Sequence, residues 1–116
     1  MTTVLLVADR ASVVDRMHAA LSSPDLSVIH HPDPETAAAA AYDQGVDRVL
    51  VDMRVASMGA MAVTRAVRAV DEESPIPVTI LLDRDADAFI ARRSGAENWL
   101  SKDATASELR EAVGAS

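Results

Sequence analysis

The segment Arg48-Val49-Leu50-Val51-Asp52 constrains the rest of the chain more than any other. Three aliphatic residues run without a polar break and stop at a carboxylate. A short run that is apolar at every position has no face to offer water. It reads as a strand buried on both sides, as in a parallel sheet. Val4-Leu5-Leu6-Val7 repeats the pattern and runs on to Asp9, and Val78-Thr79-Ile80-Leu81-Leu82 runs on to Asp83. An acid at the end of such a strand stands at the carboxyl edge, where open α/β sheets bind their ligands. Asp52 is therefore a candidate site residue by position. On the carboxylate alone, capping of the next turn is the simpler reading.

Between these runs the period changes from two to 3.6. Val13, Val14, Met17 and Leu21 are spaced as on a helix, which Ser22-Ser23-Pro24-Asp25 breaks. Leu26-Ser27-Val28-Ile29 is a weaker strand near an edge, with His30 and His31 facing solvent in the loop after it. Asp33-Pro34-Glu35 starts a helix, with Asp33 as N-cap and Pro34 in the first turn. That helix crosses the alanines at 37–41 and stops at Gly45. A helix over 61–70 turns Val63, Val67 and Val70 inward. A shorter one over 87–94 ends at Gly95. Asn98-Trp99-Leu100-Ser101 is the fifth strand and leads to Lys102. Thr105-Ala106-Ser107-Glu108 is a capping box that opens the last helix, with Leu109, Ala112 and Val113 inward.

The whole of 1–116 thus reads as one domain of five strand–helix units, with crossovers of the length parallel strands need. The expected fold is an α/β, flavodoxin-like, doubly wound sheet of five parallel strands in order 2-1-3-4-5 with five helices. In that order the first and third strands flank the switch point. Asp9 and Asp52 then face one crevice, within reach of Lys102. Two carboxylates and an ammonium there suit a hard cation such as Mg2+, bridged by a phosphoryl group.

Composition narrows the function classes. A net charge of −7 argues against direct binding of nucleic acid or anionic lipid. No apolar run reaches membrane-spanning length. The absence of cysteine fits a reducing cytoplasm and removes thiolate metal sites. No Gly-rich phosphate loop follows any strand and no cobalamin-type histidine motif is present, which disfavours a small flavodoxin-like cofactor binder.

Four stretches in register resemble the receiver domain of response regulators in two-component signalling. They are Leu5-Leu6-Val7-Ala8-Asp9, Val49-Leu50-Val51-Asp52-Met53, Pro77 before the fourth strand, and Gly95-Ala96-Glu97-Asn98-Trp99-Leu100-Ser101-Lys102. The resemblance implies a role for each matched position. Asp52 would accept the phosphoryl group. Asp9, Asp52 and the backbone carbonyl of Arg54 would hold Mg2+. Lys102 would contact the phosphoryl oxygens, and Leu82 with Trp99 would form the switch. It also implies a histidine kinase or phosphotransfer protein as partner. The fourth helix, fifth strand and fifth helix would form an interaction face around Arg92, Arg93 and Trp99, which a homodimer would also use. Catalysis would be limited to self-phosphorylation and self-dephosphorylation at Asp52. The chain would be either a stand-alone regulator or a domain of a longer protein.

The departures from the family pattern cluster at the site. Ala8 stands where the family has the first of two acids, which weakens Mg2+ binding. Leu82 stands where a Thr or Ser hydroxyl is usual; a register shift of one residue would put Asp83 there instead. Leucine cannot donate a hydrogen bond, and an aspartate would repel a phosphoryl group unless a cation such as Arg84 swung in. Asp103 replaces the usual proline after the lysine, so no cis peptide is expected there. Val55-Ala56 replaces Met-Pro, and Gly59-Ala60 after Met58 replaces Asp-Gly. The core is kept while the chemistry is edited. The pattern is that of an atypical receiver, with a phosphorylation-independent interaction module as the alternative to an ordinary phosphoacceptor.

Overall fold

Each apolar run becomes a strand. The computed structural model describes residues 1–55 and 59–114, so Ala56 and Met58 lie outside the described residues. The strands are β1 (Thr2–Val7), β2 (Leu26–His31), β3 (Arg48–Asp52), β4 (Val78–Leu82) and β5 (Asn98–Ser101). They pair in parallel throughout, in the order β2-β1-β3-β4-β5. The crossovers carry α1 (Ala11–Ala20), α2 (Ala37–Gln44), α3 (Gly59–Val70) and α4 (Ala88–Arg93), and α5 (Ala106–Ala112) closes the fold. This is the expected flavodoxin-like architecture.

Alternation along the strands divides the core in two. Leu5 and Val7 of β1, Val49 and Val51 of β3, and Ile80 and Leu82 of β4 face the side covered by α2, α3 and α4. Val4, Leu6, Leu50 and Leu81 face the side covered by α1 and α5, where Val13, Met17, Leu109 and Val113 meet them. The central strands are therefore buried on both faces, which is why their sequences show no polar alternation.

Local chemistry sets the element ends, in places a little off the expected positions. Asp33 accepts the N–H of Glu35, but what it caps is a 3-10 turn over Pro34–Thr36, and α2 begins at Ala37. Gly45 ends α2 in the left-handed conformation at φ 63°, which glycine adopts without the steric cost of a Cβ. A second 3-10 turn, Asp85–Asp87, precedes α4. The inward stripe of α3 is Ala60, Val63, Thr64 and Val67; it runs off the sheet before Val70, which is exposed rather than inward. His30 and His31 lie inside β2, not in the loop beyond it. Their backbones pair with Leu6 and Val7, and an edge strand tolerates polar side chains. Among the described residues no peptide bond is cis.

Candidate functional site at the carboxyl edge

The site starts from register. Asp52 is the last residue of β3 and pairs with Leu81 of β4. Asp83 lies two residues beyond Leu81, so strand alternation turns Asp52 and Asp83 toward the same face. Leu82, between them in phase, turns to the opposite face, where Trp99 packs. The buried leucine thus lies on the side of the aromatic, and the aspartate lies on the side of Asp52.

Asp52 is 1% exposed, and a buried carboxylate must be paired or hydrogen-bonded. It is both. The Arg54 backbone N–H donates to its Oδ1 at 3.1 Å, so Asp52 does cap the turn that follows it. The main partner is Arg10, a residue the sequence reading did not single out. Arg10 Nε donates to Asp52 Oδ2 at 2.9 Å and Nη2 to Oδ1 at 2.8 Å. This is the two-pronged guanidinium–carboxylate geometry, in which both oxygens are taken by one rigid cation. Arg10 is the N-cap residue of α1, with extended backbone at φ −89° and ψ 119°. The start of the first helix thus aims its side chain across the edge of the sheet.

Arg10 also reaches Asp83, with Nη1 3.4 Å from Oδ1. Two further cations converge on that carboxylate. Lys102 Nζ lies 2.5 Å from Asp83 Oδ1, and Arg54 Nη1 lies 3.1 Å from Oδ2. The result is a chain of alternating charge, Asp52–Arg10–Asp83–Lys102, with Arg54 on its outer side. The Lys102 hydrogen bond, aided by Arg10 and the Arg54 charge, holds the Asp83 carboxyl down at about 2. The hydrogen bond to Asp52 raises the Arg10 guanidinium above its already high value. The lysine's position is fixed from below: Arg16 of α1 donates to the Lys102 carbonyl at 2.6 Å and to the Ala104 carbonyl at 3.0 Å.

The other positions fall around this ladder. Ala8 is fully buried, and its carbonyl lies 2.7 Å from His30 Nε2. Asp9 is exposed, two residues past the end of β1. Arg84 pairs with Asp87 at 3.0 Å and so points along its own turn. Trp99 is half-buried in β5, with the Arg92 guanidinium 6.0 Å from its ring centroid. Arg93 lies 4.5 Å over Phe89, which is 60% exposed beside the exposed Ile90.

These donors do not fit Mg2+ as they stand. Both Asp52 oxygens face a guanidinium, Asp83 is shared by three cations, and a divalent ion would meet their repulsion. Among the described residues no group of three or more His, Cys, Asp or Glu is placed to hold a metal ion. No periodicity or motif marks Arg10 in the sequence; its one cue is that a cation stands two residues after Ala8.

The family model for the response regulator receiver domain matches residues 4–114. Among curated proteins, the two-component response regulator ORR2 of rice (Oryza sativa subsp. indica) is 34% identical over 73 residues, covering 61% of this chain and 29% of the rice protein. The chain thus matches less than a third of that relative's length. The receiver domain of the response regulator NarL from Mycobacterium tuberculosis superposes with a TM-score of 0.82 at 28% identity, covering 97% of this chain and 92% of that one. The chemotaxis response regulator CheY4 of Vibrio cholerae matches in fold, with a TM-score of 0.82 at 23% identity over 96% of this chain and 94% of that one. Among the described residues no helix is long and apolar enough to cross a membrane.

Proposed function

Since this chain belongs to the response regulator receiver family, we propose that it serves two-component signalling as a receiver whose Asp52 is withdrawn from the phosphoryl cycle. Its partner contacts are then independent of phosphorylation. The observation that carries this reading is the two-pronged hold of Arg10 on a carboxylate that is 1% exposed. A phosphodonor needs one free carboxylate oxygen as nucleophile, and both are bonded to a cation. Phosphorylation would turn the single charge of the Asp52 carboxylate into an acyl phosphate of about −2. Leu82 offers it no hydroxyl, and Lys102 is already bonded to Asp83.

The competing reading is an ordinary phosphoacceptor with weak Mg2+ binding. The placement of Asp52 at the end of β3, with Lys102 across the same edge, favours it. Incubation with a small phosphodonor and Mg2+, followed by intact-mass analysis, decides between the two. No adduct is expected; a phosphoryl adduct that Asp52→Asn abolishes would establish the competing reading.

The partners that go with this reading are a histidine kinase or phosphotransfer protein, or a second copy of the chain. The surface proposed for them is formed by α4, β5 and α5. Phe89 and Ile90 are the large apolar residues exposed there, beside Arg92, Arg93 and Trp99. Exposed aromatics are the side chains that most often dominate binding energy, so Phe89→Ser should weaken a partner contact by about 1–2 kcal/mol. Because Phe89 is outside the core, the melting temperature should hardly move. Sedimentation of the chain alone reads the homodimer, and titration with a kinase reads the heterologous contact.

A further inference from the structure

We infer that Arg10 and Asp83 supply, from within the chain, the cation and the anion that a receiver site otherwise takes from solution. This inference deepens the reading above, but it is tested by metal and anion binding rather than by labelling of Asp52. Three features of the ladder support it. First, a divalent cation at this edge would have to bond Asp52 and bridge to an anion opposite. Arg10 does both, with two N–H groups on Asp52 and a third toward Asp83. Second, an anion transferred to Asp52 would have to lie between that cation and the Lys102 ammonium. The Asp83 carboxylate lies between them, bonded to Arg10 on one side and Lys102 on the other. Third, Asp83 sits among three cations, Arg10, Arg54 and Lys102, which compensate its charge in place as a permanent anion requires.

The substitutions balance in charge. Mg2+ with a phosphoryl dianion is replaced by a guanidinium with a carboxylate, a smaller pair of opposite sign that cannot dissociate. The two replacements also depend on each other. Asp83 alone would repel Asp52 across the edge, and Arg10 alone would leave Lys102 and Arg54 facing a third cation without an anion between them. A site filled in this way has no vacancy for the soluble ions.

The test compares wild type with Arg10→Ala, Asp83→Thr and the double variant, each checked for folding by circular dichroism. Mg2+ binding is read by calorimetry, and beryllofluoride binding by the fluorine resonance of the bound adduct. Wild type should bind neither. Arg10→Ala should show Mg2+ binding at least about tenfold tighter than the weakest the calorimeter detects, where wild type shows none, since one like charge beside the metal is gone. The double variant should in addition show Mg2+-dependent bound beryllofluoride. Folded variants that bind Mg2+ no better than wild type would overturn the inference. So would Mg2+-dependent beryllofluoride binding by wild type, a result that holds even if the variants do not fold. Absence of a phosphoryl adduct on wild type, together with Mg2+ binding in folded Arg10→Ala no tighter than in wild type, would sink the inference and leave the functional reading above standing.

Discussion

Arg10 and Asp52 form a pair in which one member is buried and the other is one-third exposed, and that asymmetry governs the cost of breaking it. Removing the arginine leaves a carboxylate at 1% exposure with, among the described residues, only the Arg54 backbone N–H to bond. Arg10→Ala should therefore lower the unfolding free energy by about 3 kcal/mol in urea melts, toward the lower end of what breaking a buried pair costs. Arg10→Met combined with Asp52→Leu should recover most of that loss, because removing both charges leaves nothing unpaired. Lysine at position 10 should rescue only in part, since a point charge cannot bond both oxygens in a fixed fork. Asp83 sets the pH dependence. Its carboxyl is lowered from an ordinary 3.8 to about 2, so the folded state prefers the ionised form. That contribution is fully present above about pH 4 and is lost as pH falls through about 2. Asp83→Asn should flatten the stability profile in that window, read as the urea midpoint against pH. Asp52 was legible as the acid that closes a buried strand, because position alone marks it. Arg10 was not, because a single arginine before a helix has no periodicity to reveal it; only the register of β3 and β4 shows which acids it meets.

At the scale of elements, the strands were legible because burial on both faces leaves a continuous apolar run. The short helices were less so, because their ends depend on turn chemistry. The capping box of α5 is the exception: Thr105 accepts the Glu108 N–H at 3.1 Å, and Glu108 Oε1 accepts the Thr105 N–H at 3.0 Å. These bonds, that to the Thr105 backbone foremost, pull the Glu108 carboxyl below its usual range. A helix of 7 residues has little hydrogen bonding of its own to lose, so its cap matters. Thr105→Ala should cost about 1 kcal/mol and should speed amide exchange in α5 before the rest of the fold. The turn between α4 and β5 is tighter than its Gly95-Ala96 sequence suggests. Gly95 has φ 87°, and a Cβ there would meet Arg68 Cδ at 3.1 Å, while Arg68 Nη1 donates to the Gly95 carbonyl at 3.0 Å. Gly95→Ala should cost about 1–3 kcal/mol from the left-handed backbone alone, read by thermal melting. Val70 was misjudged because helical spacing shows which face is apolar and says nothing of how far the sheet beneath extends.

Across the whole molecule, the sheet separates two apolar cores, and the charged ladder joins the start of α1 to the ends of β3, β4 and β5. A signal passing from Asp52 to the α4–β5–α5 face would have to travel along β4 and β5. It would need a contact that differs between two states, because a ligand shifts an equilibrium only by its differential affinity. Leu82 is 4% exposed on the face that Trp99 shares and presents no group to an anion on the other face. Its side chain occupies volume that an inward-turning aromatic would need. From the outer side, the Arg92 guanidinium rests 6.0 Å from the indole centroid. Trp99 should therefore keep one rotamer whatever is bound at the edge. Trp99 is the only tryptophan in the chain, so its emission reports this position alone. Adding Mg2+ with beryllofluoride should leave its emission maximum and acrylamide quenching unchanged. Leu82→Thr, which clears that volume, should be the change that first makes the emission respond, most clearly with Arg10→Ala and Asp83→Thr beside it. A clear emission shift in wild type would mean that the relay works without a hydroxyl in β4, and that the face around Trp99 is switched rather than constitutive.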